Sequence, residues 1–233
     1  MRTLILAVLA SGILATSTAW SASKQEERLK DANEVFQQIM DTPDKAIPTD
    51  LLERCACIGV IPSLKKVAFV VGGSHGAGFV LCRKNGGKGA WGPPSGFSMS
   101  GGSFGFQIGA SATDFVLLFM NTDGIEKLLQ DKFTLGADAS VAAGPVGRTA
   151  SAATDAQMTA KVLSYSRSKG VFAGLALDGA VLRPSGDDNE ALYKRKVSAK
   201  DLLLNSTVAP PAAAQPLIRS LENYSSHATK KAL

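Results

Sequence analysis

The chain has 233 residues, 45% of them hydrophobic, with 25 lysines and arginines against 20 aspartates and glutamates. This composition marks a globular chain, and a formal charge of +5 is too mild to demand nucleic acid as a partner. Aromatic residues make up only 6% while glycine alone numbers 23, which favours closely packed, glycine-punctuated strands over a core of large side chains.

The first element is a leader. Met1-Arg2 carries one positive charge, Thr3 to Ala19 carries none and is mostly Leu, Ile, Val and Ala, and small residues follow through Ala22. This order predicts a secretory signal peptide over residues 1–21, cleaved after Ser21 or after Ala19. The apolar stretch is short of the ~20 residues that span a bilayer, which disfavours an uncleaved anchor. The first cysteine is Cys55, far from the cut, which argues against a lipid-modified N-terminus. The expected location is periplasmic or secreted, and export removes nucleic acid as a partner. The chain from residue 22 keeps 24 basic against 20 acidic residues and is long enough for one sizeable core or two small ones.

Residues 24–41 read as a helix, with Leu29, Ala32, Phe36, Ile39 and Met40 at helical spacing and Glu26, Glu27, Lys30, Asp31 and Glu34 opposite them. Thr42-Pro43 ends it. Pro48 suits the first turn of a second short helix through Leu51, Leu52 and Cys55. From Ile58 the texture becomes strand. Val67 to Val71 and Phe79 to Cys82 read as a hairpin around a glycine-rich turn, Gly72 to Gly78. Asn85-Gly86-Gly87 is another turn, and Trp91 to Pro94 breaks any regular element. Phe97 to Gly109 alternates as a strand, and Ala110 to Met120 is a further apolar run containing Asp114.

Thr122 to Leu129 reads as a short helix, Phe133 to Ala143 as one strand of small residues, and Gly144 to Gly147 as a turn. Ala160 to Ser166 and Gly170 to Leu177 are strands around Arg167-Ser-Lys169. Asp178-Gly179 turns, Ala180 to Arg183 is a strand, and Pro184 to Asn189 reads as a polar loop. Ser198 to Leu204 is a short helix, Ala209 to Ala214 a linker, and Leu217, Ile218, Leu221 and Tyr224 form a last helical face. Residues 226–233 read as a tail. Strands joined by tight turns and flanked by short helices predict an α+β fold with a mostly antiparallel sheet. Barrel-like closure would hide its many short edges.

Cys55, Cys57 and Cys82 meet an oxidising compartment. Cys55 and Cys57 are too close to bridge, so one of them pairs with Cys82 and the other stays free, with three buried thiols as the alternative. A Cys57–Cys82 bridge would close a loop of ~25 residues, worth about 3–4 kcal/mol in the chain-entropy account. Cys-x-Cys with one distant cysteine and only His75 nearby lacks metal-ligand spacing, so no metal or other cofactor is expected.

Gly101-Gly-Ser103-Phe-Gly105 matches a nucleophile pattern that has meaning only on a strand-to-helix turn with an acid and a histidine downstream. Alternating residues follow Ser103 instead, and the one downstream histidine is His227 in the tail, so the segment reads as a Gly/Ser turn or bulge. Gly72 to Gly78 lacks the lysine of a phosphate-binding loop and runs into a strand. It resembles Gly101 to Gly105, read here as repeated turn chemistry. Asp114 reads as a carboxylate bonded to backbone or to an arginine across the sheet. No enzyme is expected. The remaining signal is cationic: Lys65, Lys66, Arg83, Lys84, Lys88, Arg148, Arg167 and Lys169 lie near loops. Clustered, four such charges would favour an acidic lipid surface about a thousandfold, at ~1 kcal/mol each.

Several stretches together resemble one family: Cys57-Ile-Gly-Val-Ile-Pro62 with Lys65-Lys66, Gly72 to Gly78, Gly102 to Gly109 with Asp114, and Leu135 to Ser140. To these add Gly144-Pro-Val-Gly-Arg148 and Tyr165-Ser-Arg-Ser-Lys-Gly-Val-Phe-Ala-Gly174 with Leu177-Asp-Gly179. In this order they resemble the SYLF domain, over about residues 26–224, so residues 22–225 are expected to form one SYLF-like domain. The resemblance implies lipid binding, including phosphoinositides in eukaryotic members, and actin binding in some fungal ones. It also implies the Cys57–Cys82 pairing, since exported bacterial members are similar at both positions. The expected function is binding of anionic phospholipid or phosphoinositide-like headgroups at a bacterial envelope. Lys65, Lys66, Arg83, Lys84, Arg148, Arg167 and Lys169 would hold phosphate. The alternative is a structural envelope protein that binds another protein.

Overall fold

The computed structural model describes residues 23–42, 46–68, 71–104, 109–130, 132–147, 159–168, 171–174 and 177–225. The leader, the 226–233 tail, Arg148 and Lys169 lie outside the described residues.

Helix α1 (Lys24–Met40) begins where Ser23 forms a capping box: its hydroxyl accepts from the Glu26 N–H, and the Glu26 carboxylate accepts from the Ser23 N–H at 2.8 Å. It buries Leu29, Ala32, Val35, Phe36, Ile39 and Met40. Helix α2 (Thr49–Arg54) follows Pro48. Near the other end of the chain, α7 (Gln215–Ser225) buries Leu217, Ile218 and Leu221. It packs on α1, with Tyr224 edge-on to Phe36 at 5.9 Å and Ser220 donating to Asn33 at 2.7 Å. Between them lie α3 (Lys84–Gly87), a single turn in which Asn85 and Gly86 are left-handed, and the short helices α4 (Asp123–Leu128), α5 (Gly186–Tyr193) and α6 (Ala199–Leu203).

The sheet contains β1 (Cys57–Ala68), β2 (Val71–Cys82), β3 (Ser95–Phe104), β4 (Gly109–Phe119), β5 (Phe133–Thr134), β6 (Val141–Ala143), β7 (Val162–Ser168), β8 (Val171–Gly174) and β9 (Val181–Pro184). Their order is β5-β9-β3-β2-β1-β4-β7-β6, with β8 also on β7, and the pairings are antiparallel except β6 with β7. Laid flat, the outermost strands β5 and β6 would stand about 34 Å apart at ~4.8 Å per strand. The chain from Thr134 to Val141 reaches only about 25 Å when fully extended. The sheet must therefore curl, and it forms a half-barrel that fulfils the α+β, mostly antiparallel expectation.

Curling gives the sheet two buried faces. Ile58, Val60, Phe79, Leu81, Val116, Leu118, Leu163 and Tyr165 meet the helices α1, α2 and α7. The alternate residues, among them Val80, Phe97, Leu117, Phe119, Val162 and Leu182, pack inside the curl with Phe133, α4 and Leu203 of α6. This explains apolar runs such as Phe115 to Phe119, where a sheet covered on one side would alternate. A disulfide joins Cys57 to Cys82, which are directly opposed in the β1–β2 ladder, and Cys55 is left free and buried.

Four sequence expectations are corrected. Gly72 to Gly78 is no turn: it is the first half of β2, paired with β1 on one side and β3 on the other. The ladder shifts register between Val60 and Lys65, so β1 bulges toward β2 there. A Cβ on Gly78 would lie 2.0 Å from the Val60 carbonyl oxygen, and one on Gly76 2.9 Å from Leu64 Cα. Absence of a side chain, not a left-handed backbone, is what these positions require. The two Gly-Gly-Ser stretches are also not turns but ladder partners, with Gly73 opposite Gly102 and the Ser74 hydroxyl donating to the Gly101 carbonyl at 3.2 Å. The span 133–143 is two strands, because Gly136 takes φ of 87° and turns the chain between β5 and β6. Pro184 to Asn189 is no loop, since Ser185 caps α5 through the Asp188 N–H.

Candidate functional site

The sequence-predicted cations do not form one cluster. Lys65 and Lys66 sit beside the β1 bulge, whereas Arg83 and Lys84 lie past the far end of β2. About nine strand residues, or roughly 30 Å at ~3.3 Å each, separate Lys65 from Lys84. Lys65 and Lys66 themselves point to opposite faces of the sheet, as neighbours in a strand must.

Arg83 is buried and serves the fold. Its guanidinium donates to the carbonyls of Leu52 at 3.2 Å, Ser225 at 2.9 Å and Gly89 at 3.2 Å, and it stacks on Trp91 at 4.4 Å. Leu52 lies in the last turn of α2 and Ser225 ends α7, so one cation satisfies carbonyls at two helix C-termini. Burial lowers its pKa from the ordinary arginine value. Beside it, burial pushes the Cys55 thiol up to about 12, and its sulfur donates to the Leu52 carbonyl. Arg83 is therefore withdrawn from any headgroup-binding surface.

Arg167 is also engaged. It donates through Nε and Nη2 to one Asp114 oxygen, at 3.0 and 2.8 Å, and through Nη1 to Gln38 of α1. The other Asp114 oxygen accepts from the Ser63 N–H at 2.9 Å. Both partners expected for Asp114, backbone and a cross-sheet arginine, are present. The Ser63 bond holds the bulge at the residue that turns left-handed, with φ of 53°. Asp114 is thus spent on structure and does not neutralise the nearby lysines.

Lys65 remains exposed, in ladder register with the exposed His75 of β2. Together they line one wall of a groove of about 340 Å³ that runs between the bulge and α1. The floor is Gly76 and Ala77, and Lys24, Glu27, Arg28 and Asp31 form the other wall. These four recur at helical spacing along one face of α1. Arg28 is held by Asp188 of α5 at 2.8 Å, with its guanidinium over Phe79 at 6.0 Å. The sequence places Glu27 and Asp31 on the face of the helix opposite its apolar residues. Their spacing with Lys24 was the available signal, but the bulge that turns that face into a groove leaves no local trace.

A second hollow of about 350 Å³, lined by Met40, Ile47, Pro48, Gly147 and Tyr224, lies on the helical side. The adjoining Gly144 to Gly147 segment has a packing role: a Cβ on Gly144 would lie 2.1 Å from the Tyr165 ring. The Ser103 segment continues as strand through Phe104, which is not the turn into a helix that a nucleophile needs. Among the described residues, no group of three or more His, Cys, Asp or Glu stands together as metal ligands, and no helix is long and apolar enough to cross a membrane.

Comparison with known proteins places this architecture. Residues 100–224 match the Ysc84 family, described as Las17-binding protein actin regulator. LAS seventeen-binding protein 3 of Saccharomyces cerevisiae is 36% identical over 77% of this chain and 39% of its own length. An SH3 domain-containing protein of Schizosaccharomyces pombe is 34% identical over 86% of the chain and 48% of its own length. SH3 domain-containing YSC84-like protein 1 of Mus musculus is 31% identical over 87% and 58%. The chain thus spans about half the length of these relatives. With a family match over more than half of its residues, the chain belongs to the Ysc84 family, whose domain is the SYLF domain.

Proposed function

We propose that this protein binds phosphate-bearing lipid headgroups without catalysis, at a membrane surface outside the cytoplasm, using the lysine-bearing end of its half-barrel. The observation that carries the reading is the state of Lys65. It is exposed beside a groove, and Asp114, the β4 carboxylate bonded to the bulge, is already committed to Arg167 and Ser63. With Lys24 across the groove, it can meet a phosphate at little desolvation cost. Two such lysines are worth about 2 kcal/mol at an anionic surface. The leader-like residues 1–21 and the Cys57–Cys82 disulfide support an oxidising, exported location.

The test is co-flotation of the purified protein with liposomes. Flotation with anionic vesicles that weakens as salt rises is the expected result, because screening shortens the reach of exposed charges. A protein partner is the second reading, favoured by the relatives, which include a LAS seventeen-binding protein and an SH3 domain-containing protein. Absence of flotation under every condition would put it first.

A further inference from the structure

We infer that the groove between α1 and the β1 bulge holds a zwitterion carrying a phosphate and a primary ammonium, a phosphoethanolamine group; the inference rests on the headgroup reading above and names its ligand. The groove carries both signs of charge. Lys24, Glu27 and Asp31 line the α1 wall, and Lys65 and His75 face them from the sheet. Arg28 is withdrawn by its pair with Asp188. Glu27 and Asp31 are exposed, and among the described residues neither forms an ion pair with Lys24 or Lys65. Lys65 stands on the opposite wall from both carboxylates, and Lys24, on the same wall, is not ion-paired with either.

That arrangement selects by elimination. A bare anion attracted to Lys65 would also face two carboxylates. A bare cation attracted to Glu27 and Asp31 would also face Lys24 and Lys65. A molecule with both charges a few bonds apart satisfies both sets, and about 340 Å³ suits a group of that size. The ammonium must be primary. Quaternary choline is recognised by aromatic faces, and among the described residues no Phe, Tyr or Trp lines this groove. An –NH₃⁺ group instead offers three N–H donors, which two carboxylates can accept. Ala77, on the same face of β2 as His75, adds only a methyl to the floor and leaves room for the ligand where a longer side chain would fill it.

The experiment compares flotation with vesicles of phosphatidylcholine alone, and with phosphatidylethanolamine or phosphatidylglycerol added. It uses the wild type and the double variant Glu27→Gln/Asp31→Asn, together with calorimetric titration of soluble glycerophosphoethanolamine. We expect phosphatidylethanolamine to raise the bound fraction at least fivefold over phosphatidylcholine. The double variant should lose that increment while binding phosphatidylglycerol vesicles more strongly, because two negative charges are gone. Binding of the soluble ester without a vesicle increment would support the site and place its ligand free in solution. Equal flotation on ethanolamine and choline vesicles with no heat from the soluble ester would overturn the inference, as would an increment that survives the double substitution. Failure of the wider headgroup reading is separate: it would appear as no flotation on phosphatidylglycerol vesicles, while the titration still decides the groove. Both substituted residues are exposed, and an unchanged thermal midpoint will verify the fold.

Discussion

The central strands have two unlike ends. Toward Cys57, Cys82 and Phe119, residues 57–61 of β1, 79–82 of β2, 115–119 of β4 and 162–165 of β7 are buried. Toward the bulge and beyond it, the same strands become Lys65, Lys66, Gly73, Ser74, His75, Ala112 and Thr113, exposed or half-buried. One set of ladders runs through both ends, so hydrogen bonding does not distinguish them. The difference is cover: helices and the inner curl bury one end, and the other runs out past them with small and cationic side chains. Stability resides in the first end, and the second is available for contact.

Glycine substitutions should break this contrast most sharply. Gly78→Ala places a Cβ 2.0 Å from the Val60 carbonyl oxygen and is expected to cost more than about 4 kcal/mol, or to abolish folding. Gly73→Ala, with nothing within 4 Å of the new Cβ, should change stability by no more than about 0.5 kcal/mol. Chemical denaturation of the two variants measures the difference.

Next in size is Arg83→Met. It leaves the Leu52 and Ser225 carbonyls without their buried donor, and should cost about 3–4 kcal/mol in the same assay. An effect confined to lipid binding would show that Arg83 belongs to a site after all.

The buried end also predicts a pH response. Cys55 ionises near 9 when unfolded but only at about 12 when buried, so the folded state holds an extra proton between these values. Stability should be full below pH 9 and fall as pH rises through that window, by up to about 1.4 kcal/mol per unit. Denaturant midpoints at pH 8, 9 and 10 measure the slope, and Cys55→Ala should flatten it. A slope unchanged by that substitution would assign the effect elsewhere.

Smallest is Asp114→Asn at the junction of the two ends. Losing a partly exposed, charge-assisted contact to Arg167 and weakening the Ser63 bond should cost about 1 kcal/mol, read as a lower thermal midpoint.

Much of the packed end was legible in the sequence. Helices α1 and α7 announce themselves by period. Asp114, isolated in an apolar run, signalled its own need for partners. The polar end was misread, because Gly72 to Gly78 has turn composition while its glycines answer to a bulge in another strand. Arg83 was misread for a similar reason: nothing local says that Leu52 and Ser225 converge on it. Helix α5 was missed because it buries only Asn189 and Leu192, too few to set a period. The candidate groove was half legible: Glu27, Asp31, Lys65 and His75 were singled out in the sequence, Lys24 and Arg28 were not, and its two walls are joined only by the fold.

The most direct test of the division between the ends pairs two double variants in flotation with phosphatidylglycerol vesicles at low salt. Lys24→Ala/Lys65→Ala removes exposed cations from the groove end, and Lys84→Ala/Lys88→Ala removes as many exposed cations from the packed end. The account predicts a loss of roughly thirtyfold in partitioning for the first pair, at ~1 kcal/mol per lysine, and little change for the second. Equal losses, or a larger loss for the second pair, would contradict it.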